Sequence, residues 1–315
     1  MPMSPQTQQQ PPRTEAVERR DRTAAASPRL RCTCWGTRGS IPSPGPSTAY
    51  YGGNTSCLEV RTADDKCLIF DAGTGIRELG KRLAATGRAV RAELFLSHFH
   101  WDHIQGLPFF APLYDANTWI RIHGARQDGI DVQSLLKGLM TPIYFPVPYE
   151  ALSAAIEFSH IDGEPWEHEG VRVSSIRVRH PGHTYGFRVN SGAASLAYVP
   201  DNELVGGRYP IDDGGYDRLV EFLAGADLLF HDAMFTDAEY PRRVGWGHST
   251  FRQAIELAEA AGVRRLAFFH HAPERTDDEL GRILSELRDD IARRGSSLEL
   301  AVAREGEEIV IGGES

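Results

Sequence analysis

Nine of the twelve histidines, His98, His100, His103, His180, His183, His231, His248, His270 and His271, fall where a predicted strand ends or a helix begins. Their surroundings are mostly rich in Asp and Gly, whereas histidines that merely fill a core would be scattered. The densest segment is Ser97-His98-Phe99-His100-Trp101-Asp102-His103, which follows the apolar run AELFL and leads into HIQGLPFF, read as helical. Three imidazoles and a carboxylate so close together are hard to satisfy as core groups. In a turn, His98 and His100 can converge on one cation while Asp102 and His103 face a second. That nitrogen and oxygen donor set suits zinc.

The elements that must position these groups are short. RCTCWG, SCLEVRT, KCLIFDAG and AELFLSH read as strands, with GIRELGKRLAAT a helix after the turn Asp71-Ala72-Gly73. In the second half WIRIHG, VRVSSIRVRH, YGFRV, SLAYVPD, LLFHDA and RLAFFHH are strand-like. Thr250-x-x-Gln253 and Thr276-x-x-Glu279 are capping boxes opening two late helices, closed by Gly262 and Gly295. Strands in both halves, interleaved with helices, predict an α/β chain with two sheets and helices outside. No internal repeat or heptad is visible.

With 315 residues, 41% of them hydrophobic, the chain can bury a substantial core. Residues 1–29 are Pro/Gln/Arg-rich without apolar periodicity and read as a solvated, disordered tail, leaving 30–315 as one domain. No apolar run is long enough to span a membrane and no signal-type segment opens the chain, so a cytoplasmic location is expected. Six arginines against three acids give residues 1–31 a net +3, which leaves −12 of the total −9 on the remainder. Such a body should repel long polyanions, and only the tail could offer RNA a basic surface. Four cysteines without paired CxxC spacing read as buried, reduced thiols.

The His-x-His-x-Asp-His segment, preceded by IFDAGTG, resembles the metallo-β-lactamase superfamily over essentially residues 31–315. The resemblance implies an αββα sandwich of two mixed sheets flanked by helices, with a metal site at one edge. It adds His180 (VRHPGHTYGFRV), Asp201 (LAYVPDNEL) and His270 (RLAFFHH) as ligands, and Asp71 as a supporting aspartate. His98, His100 and His180 would hold one divalent ion and Asp102, His103 and His270 the other, zinc or alternatively manganese. Asp201 would bridge them together with a hydroxide generated from water. Pro181-Gly182-His183-Thr184 also reads like the PGHT turn of the thioesterase branch, which would make His183 the ligand. The alternation Ile176, Val178, His180 favours His180, and His183 then becomes a pocket residue. His271 is the alternative to His270 and otherwise its neighbour in the shell around the metals.

Gly-Trp-Gly-His248-Ser-Thr and Phe-His231-Asp232-Ala resemble motifs of ribonuclease Z-like phosphodiesterases. Carried over, His248 is a general acid and Asp232 its orienting carboxylate, with Asp where Glu is usual; His231 is read as structural. Trp35-Gly-Thr-Arg38-Gly-Ser-Ile-Pro and Tyr51-Gly-Gly-Asn54-Thr-Ser-Cys57 resemble the same branch, with Arg38 able to offer a fork to a phosphate and Asn54 beside the pocket. Only 21 positions separate His180 from Asp201, too few for the tRNA-binding arm of ribonuclease Z. A small phosphodiester, such as a cyclic nucleotide or cyclic ribose phosphate, is therefore the expected substrate, with no tRNA and no membrane partner, and a homodimer by analogy alone. Three other readings stand beside it. A thioesterase or lactonase would use the same metals on an acyl group, a flavodiiron-like domain would do redox chemistry, and a sensor or accessory protein would bind a phosphorylated ligand without turnover.

Overall fold

The computed structural model describes residues 29–205 and 215–312; the expected tail therefore lies, apart from Arg29, outside the described residues. The first sheet contains β1 (Leu30–Gly36), β2 (Cys57–Arg61), β3 (Cys67–Phe70), β4 (Arg91–Phe95), β5 (Trp119–Gly124) and β6 (Ala155–His160). The second contains β7 (Trp166–His168), β8 (Val171–Arg177), β9 (Tyr185–Ser191), β10 (Ala194–Val199), β11 (Leu228–Asp232), β12 (Arg265–Phe269) and β13 (Glu299–Val302). The last strand, β14 (Glu308–Ile311), returns to the first sheet beside β1. The strand orders are β14-β1-β2-β3-β4-β5-β6 and β13-β12-β11-β10-β9-β8-β7. Each sheet is mixed, parallel from β3 to β6 and from β10 to β13 and antiparallel elsewhere.

Strand periodicity explains the layering. Leu68 and Phe70 of β3 point between the sheets, whereas Cys67 and Ile69 point outward. Phe70 stacks on Phe95 at 5.3 Å and meets Phe187 and Tyr198 of the opposite sheet at 5.5 and 5.9 Å. Outside the first sheet, Ile69, Leu94 and Ile122 pack against α1 (Gly75–Ala85) and α3 (Val132–Leu139), with the short α2 (Trp101–Ile104) lying between these two in sequence. Outside the second, Val199, Leu229 and Phe268 pack under α4 (Gly215–Leu223), α5 (Phe251–Ala260) and α6 (Asp277–Arg293). The result is an αββα sandwich.

Both expected capping boxes are formed, Thr250 with Gln253 and Thr276 with Glu279. Cys32 and Cys34 share the face between the sheets, and all four cysteines are buried and free. Burial pushes each thiol up, away from reactivity. No helix of the described residues is long and apolar enough to cross a membrane. Because β3, β4, β10, β11 and β12 run in parallel within their sheets, the loops after their carboxyl ends gather on one edge of the sandwich. That edge carries the histidines.

Candidate metal centre

β4 ends at Phe95 and delivers Ser97, His98 and His100; α2 then turns Asp102 and His103 back toward them. His180 follows β8, Asp201 follows β10, Asp232 ends β11 and His270 follows β12 with a left-handed backbone (φ 58°). The strand-like run predicted through His180 stops at Arg177. His180 then sits in a tight turn, its N–H on the Val178 carbonyl, with Pro181 following it.

The donor atoms form two main groups, and Asp201 and His270 also come together with His248. His98 Nε2, His100 Nδ1, His180 Nε2 and Asp201 Oδ2 lie 2.9 Å (98 to 100), 3.1 Å (100 to 180), 3.3 Å (180 to 201) and 3.4 Å (98 to 201) apart. Asp102 Oδ2, His103 Nε2, His270 Nε2 and Asp201 Oδ1 form the second group. Its distances are 3.0 Å (102 to 270), 3.3 Å (102 to 103), 3.4 Å (103 to 270), 3.0 Å (201 to 270) and 3.4 Å (201 to 103). A tetrahedral ion with bonds of about 2.0–2.1 Å requires ligand atoms roughly 3.3 Å from one another. The distances given, 2.9–3.4 Å, are close to that spacing, and Asp201 Oδ1 is buried with no hydrogen-bond donor, as a carboxylate oxygen reserved for a cation would be.

Surrounding groups fix the free nitrogen of three rings. Asp71, itself at φ 60°, accepts from the Ser97 N–H (2.7 Å), the Ser97 hydroxyl (2.9 Å), the Tyr198 hydroxyl (2.9 Å) and His103 Nδ1 (2.8 Å). The Ser97 hydroxyl, already donating to Asp71, accepts from His98 Nδ1 at 3.0 Å. His180 Nδ1 donates to the Gly247 carbonyl at 2.8 Å. His98 and His180 are thereby left with an unprotonated Nε2 facing the site, and the His103 ring is turned so that its Nε2 faces the same way. The Ser40 N–H likewise orients Asp102 Oδ2 at 2.7 Å.

Burial drives His180 down to about 3 and His98 well below the usual imidazole range, so both are neutral at pH 7, the form in which an imidazole can bind a cation. Burial would also lower His103, but Asp102, Asp201 and Asp71 outweigh it and hold the ring well above its ordinary value. Burial would raise Asp201, yet His270, His103 and His180 keep it ionised. The pocket therefore concentrates buried negative charge that divalent cations would neutralise.

His248 stands beside both groups, its ring centroid 4.9 Å from His270 and 5.1 Å from His180. Asp232 Oδ2 accepts from its Nδ1 at 2.8 Å, and the carboxylate is fixed by the N–H groups of Asn202 (3.2 Å) and Met234 (3.1 Å). The shorter reach of Asp thus does not prevent the pairing. Burial opposes protonation of His248, but Asp232 prevails and pushes it up to about 9.

Four expected pocket residues are placed otherwise. Arg38 is fully buried and donates to the carbonyls of Gly52, Ala272 and Arg275 at 2.8, 3.0 and 2.7 Å; it ties loops together and offers no fork to a phosphate. Asn54 is clasped by Glu305 (2.6 and 2.9 Å) and Thr74 (3.1 Å), which also makes it a loop residue. His271, one residue beyond His270, points the opposite way and bonds the Ala303 carbonyl at 3.1 Å. His183 is exposed, 3.2 Å from Arg177, with its backbone held by Gln127. His231 is structural, its Nδ1 2.7 Å from the Asp232 carbonyl.

Three contributors escaped the sequence reading: Ser97, Tyr198 and Glu203. Buried Glu203 accepts the N–H groups of Gly245 and Gly247 at 2.7 and 3.0 Å and so holds the loop that presents His248. Its place two residues after Asp201 was the one available signal.

Residues 67–271 match the family described as the beta-lactamase superfamily domain. The chain belongs to that superfamily. Among curated relatives, ribonuclease Z of Picrophilus torridus is 26% identical over 298 residues, covering 82% of this chain and 90% of its own. Ribonuclease Z of Haloarcula marismortui is 29% identical over 283 residues, covering 76% and 86%. In fold, the metallo-beta-lactamase fold protein YhfI from Bacillus subtilis superposes with a TM-score of 0.65 at 20% identity, over 90% of this chain and 99% of that one. A diphosphatase from the PhnP family gives 0.63 at 20%, over 90% and 97%. The short form of human tRNase Z gives 0.60 at 21%, over 89% and 98%. This superfamily member is thus a metallo-β-lactamase-fold hydrolase of the ribonuclease Z neighbourhood, with a metal-binding His/Asp cluster.

The same relatives correct one expectation. Acidic charge and the short interval before Asp201 argued against tRNA, but the named relatives are ribonuclease Z and a tRNase Z. Net charge is a property of the whole body, and the interval merely holds the β9–β10 hairpin. Neither describes the surface around the site.

Proposed function

We propose that the domain spanning residues 30–315 is a dinuclear, metal-dependent phosphodiesterase, with zinc the preferred ion and manganese the alternative. A small phosphodiester such as a cyclic nucleotide or cyclic ribose phosphate is its first candidate substrate. The observation that carries the reading is the Asp232–His248 pair, 2.8 Å apart and set against both ligand groups. His98, His100, His180 and Asp201 would hold one ion and Asp102, His103 and His270 the other, which Asp201 Oδ1 would share through its approach to His103 and His270. When bound, two such cations lower the pKa of a water toward neutrality and draw charge from the phosphoryl oxygens.

The chain's own residues supply the rest. Asp201 divides its two oxygens between the groups and sets their separation. Asp71, Ser97 and Gly247 hold His103, His98 and His180 in the tautomers that face inward. Asp232 keeps the His248 Nδ1 proton, leaving Nε2 to hand a proton to the departing alkoxide. Asp232 holds the ring up at about 9, so that Nε2 carries a proton to give at pH 7. An acyl hydrolase drew support from the PGHT turn, and the exposed, outward placement of His183 weakens it.

The test is metal-dependent hydrolysis of bis-p-nitrophenyl phosphate beside a p-nitrophenyl acyl ester by wild type, Asp201→Ala and His248→Ala, with metal counted in each. Diester cleavage lost in both variants, with metal lost only from Asp201→Ala, is the expected result; acyl cleavage alone overturns it. The relatives' names favour RNA as a second reading, and a precursor tRNA assayed beside 2',3'-cyclic nucleotides decides between the substrates.

A further inference from the structure

The loop that carries His248 also carries a tryptophan that the proposed chemistry does not use. Trp246 is 56% exposed, an unusual setting for so large an apolar ring, and it lies two residues from His248, at most about 7 Å of chain. The Arg243 guanidinium lies 4.4 Å from its ring centroid. On the loop of the first sheet, Trp101 is 73% exposed and follows His100 directly. The two loops are joined through the site, because His100 Nδ1 is 3.1 Å from His180 Nε2 and His180 Nδ1 is 2.8 Å from the Gly247 carbonyl. Each tryptophan is the chain neighbour of one end of this series of contacts.

We infer that Trp246, backed by Arg243, is a stacking platform for the nucleobase of a nucleotide whose phosphate lies at the metal centre, with Trp101 bordering the same mouth. The inference rests on the phosphodiesterase reading and deepens it, since it names a nucleoside-bearing phosphodiester as the substrate class. The chemistry follows from what is placed together. A flat exposed indole gains by covering its face with another π system, every base has one, and a guanidinium fixed over the ring adds an attractive charge for a nearby phosphate or ribose oxygen. A simple alkyl phosphodiester would use the metals and His248 but leave the indole in water.

Binding separates this proposal from catalysis. The probes are adenosine 5'-monophosphate and ribose 5-phosphate, titrated by calorimetry into metal-loaded wild type, Trp246→Ala and Trp246→Phe, with metal content measured in all three. Wild type is expected to bind the nucleotide about tenfold more tightly than the sugar phosphate, Trp246→Ala to bind the two alike, and Trp246→Phe to recover most of the preference. Equal affinity of wild type for both ligands, or a preference that survives Trp246→Ala, overturns the platform. The same proteins are then given the p-nitrophenyl ester of a nucleoside 5'-phosphate and methyl p-nitrophenyl phosphate. If neither is cleaved while the binding preference holds, the phosphodiesterase reading fails and the platform stands. If both are cleaved with equal kcat/KM and the binding preference is absent, the platform fails and that reading stands.

Discussion

Gly247 shows how little space the site leaves. It carries φ 89°, a conformation that L side chains rarely adopt, and a methyl group there would strike His180 Nδ1 and its ring. Its carbonyl is also the acceptor that fixes His180. Gly247→Ala should therefore release His180 and lower the metal held by the His98, His100 and His180 group by about tenfold in affinity, the scale of lost support around a ligand. Metal competition with a chromogenic chelator measures it, and unchanged affinity would show that His180 is anchored otherwise. His271 makes a prediction of opposite character. Burial holds this ring down to about 3, against an ordinary 6.5, so the unfolded chain takes the proton first. Its contribution is complete above pH 6.5 and is lost as pH falls toward 3, by up to about 1.4 kcal/mol per pH unit. His271→Gln keeps a donor for the Ala303 carbonyl and removes the titration. Between pH 6.5 and 5, wild type should lose about 2 kcal/mol more stability than the variant in urea unfolding; parallel losses would mean that the ring is not held neutral.

At the scale of elements, α6 is an acidic-fronted helix whose first turn is closed by Thr276, which accepts from the Glu279 N–H while Glu279 accepts from the Thr276 N–H. Thr276→Ala should cost about 1 kcal/mol of unfolding free energy with metal content unchanged. A loss of metal would tie α6 to the site instead. This box was legible because it is a local, four-residue pattern, and the motif strands were legible for a similar reason: apolar runs end in Asp, His or Gly. Other elements carried no such signal. The edge strand β6 alternates weakly and stays half exposed, β7, β13 and β14 are only three or four residues long, and α3 and α4 are short helices of eight and nine residues. Their place is set by partners distant in sequence. Ser97, Tyr198 and Glu203 were missed on the same ground, since each matters through a contact across the fold. Arg38 and Asn54 misled because a Gly-rich loop that could cradle a ligand looks the same as one stitched to its neighbours by buried hydrogen bonds.

For the whole molecule, the two donor groups join the halves of the sandwich. His98, His100, Asp102 and His103 come from the first sheet's edge, and His180, Asp201 and His270 from the second's. Ions bound between them would resist separation of the sheets, because an unfolded chain presents no such site. Each site filled at a hundred times its Kd adds about 2.7 kcal/mol, which at roughly 2 °C per kcal/mol for a chain of this size is about 5 °C in Tm. Chelation of the loaded protein should therefore lower Tm by about 10 °C, and zinc should restore it with a break at two equivalents. Single replacements sort the account further. His100→Ala touches only the first group and should leave one equivalent and about half of the Tm gain, whereas Asp201→Ala withdraws an oxygen from each group and should abolish both. A single equivalent in wild type, or Asp201→Ala retaining the full stabilisation, would mean that Asp201 does not bridge two ions and that the orphaned Oδ1 faces something other than a cation.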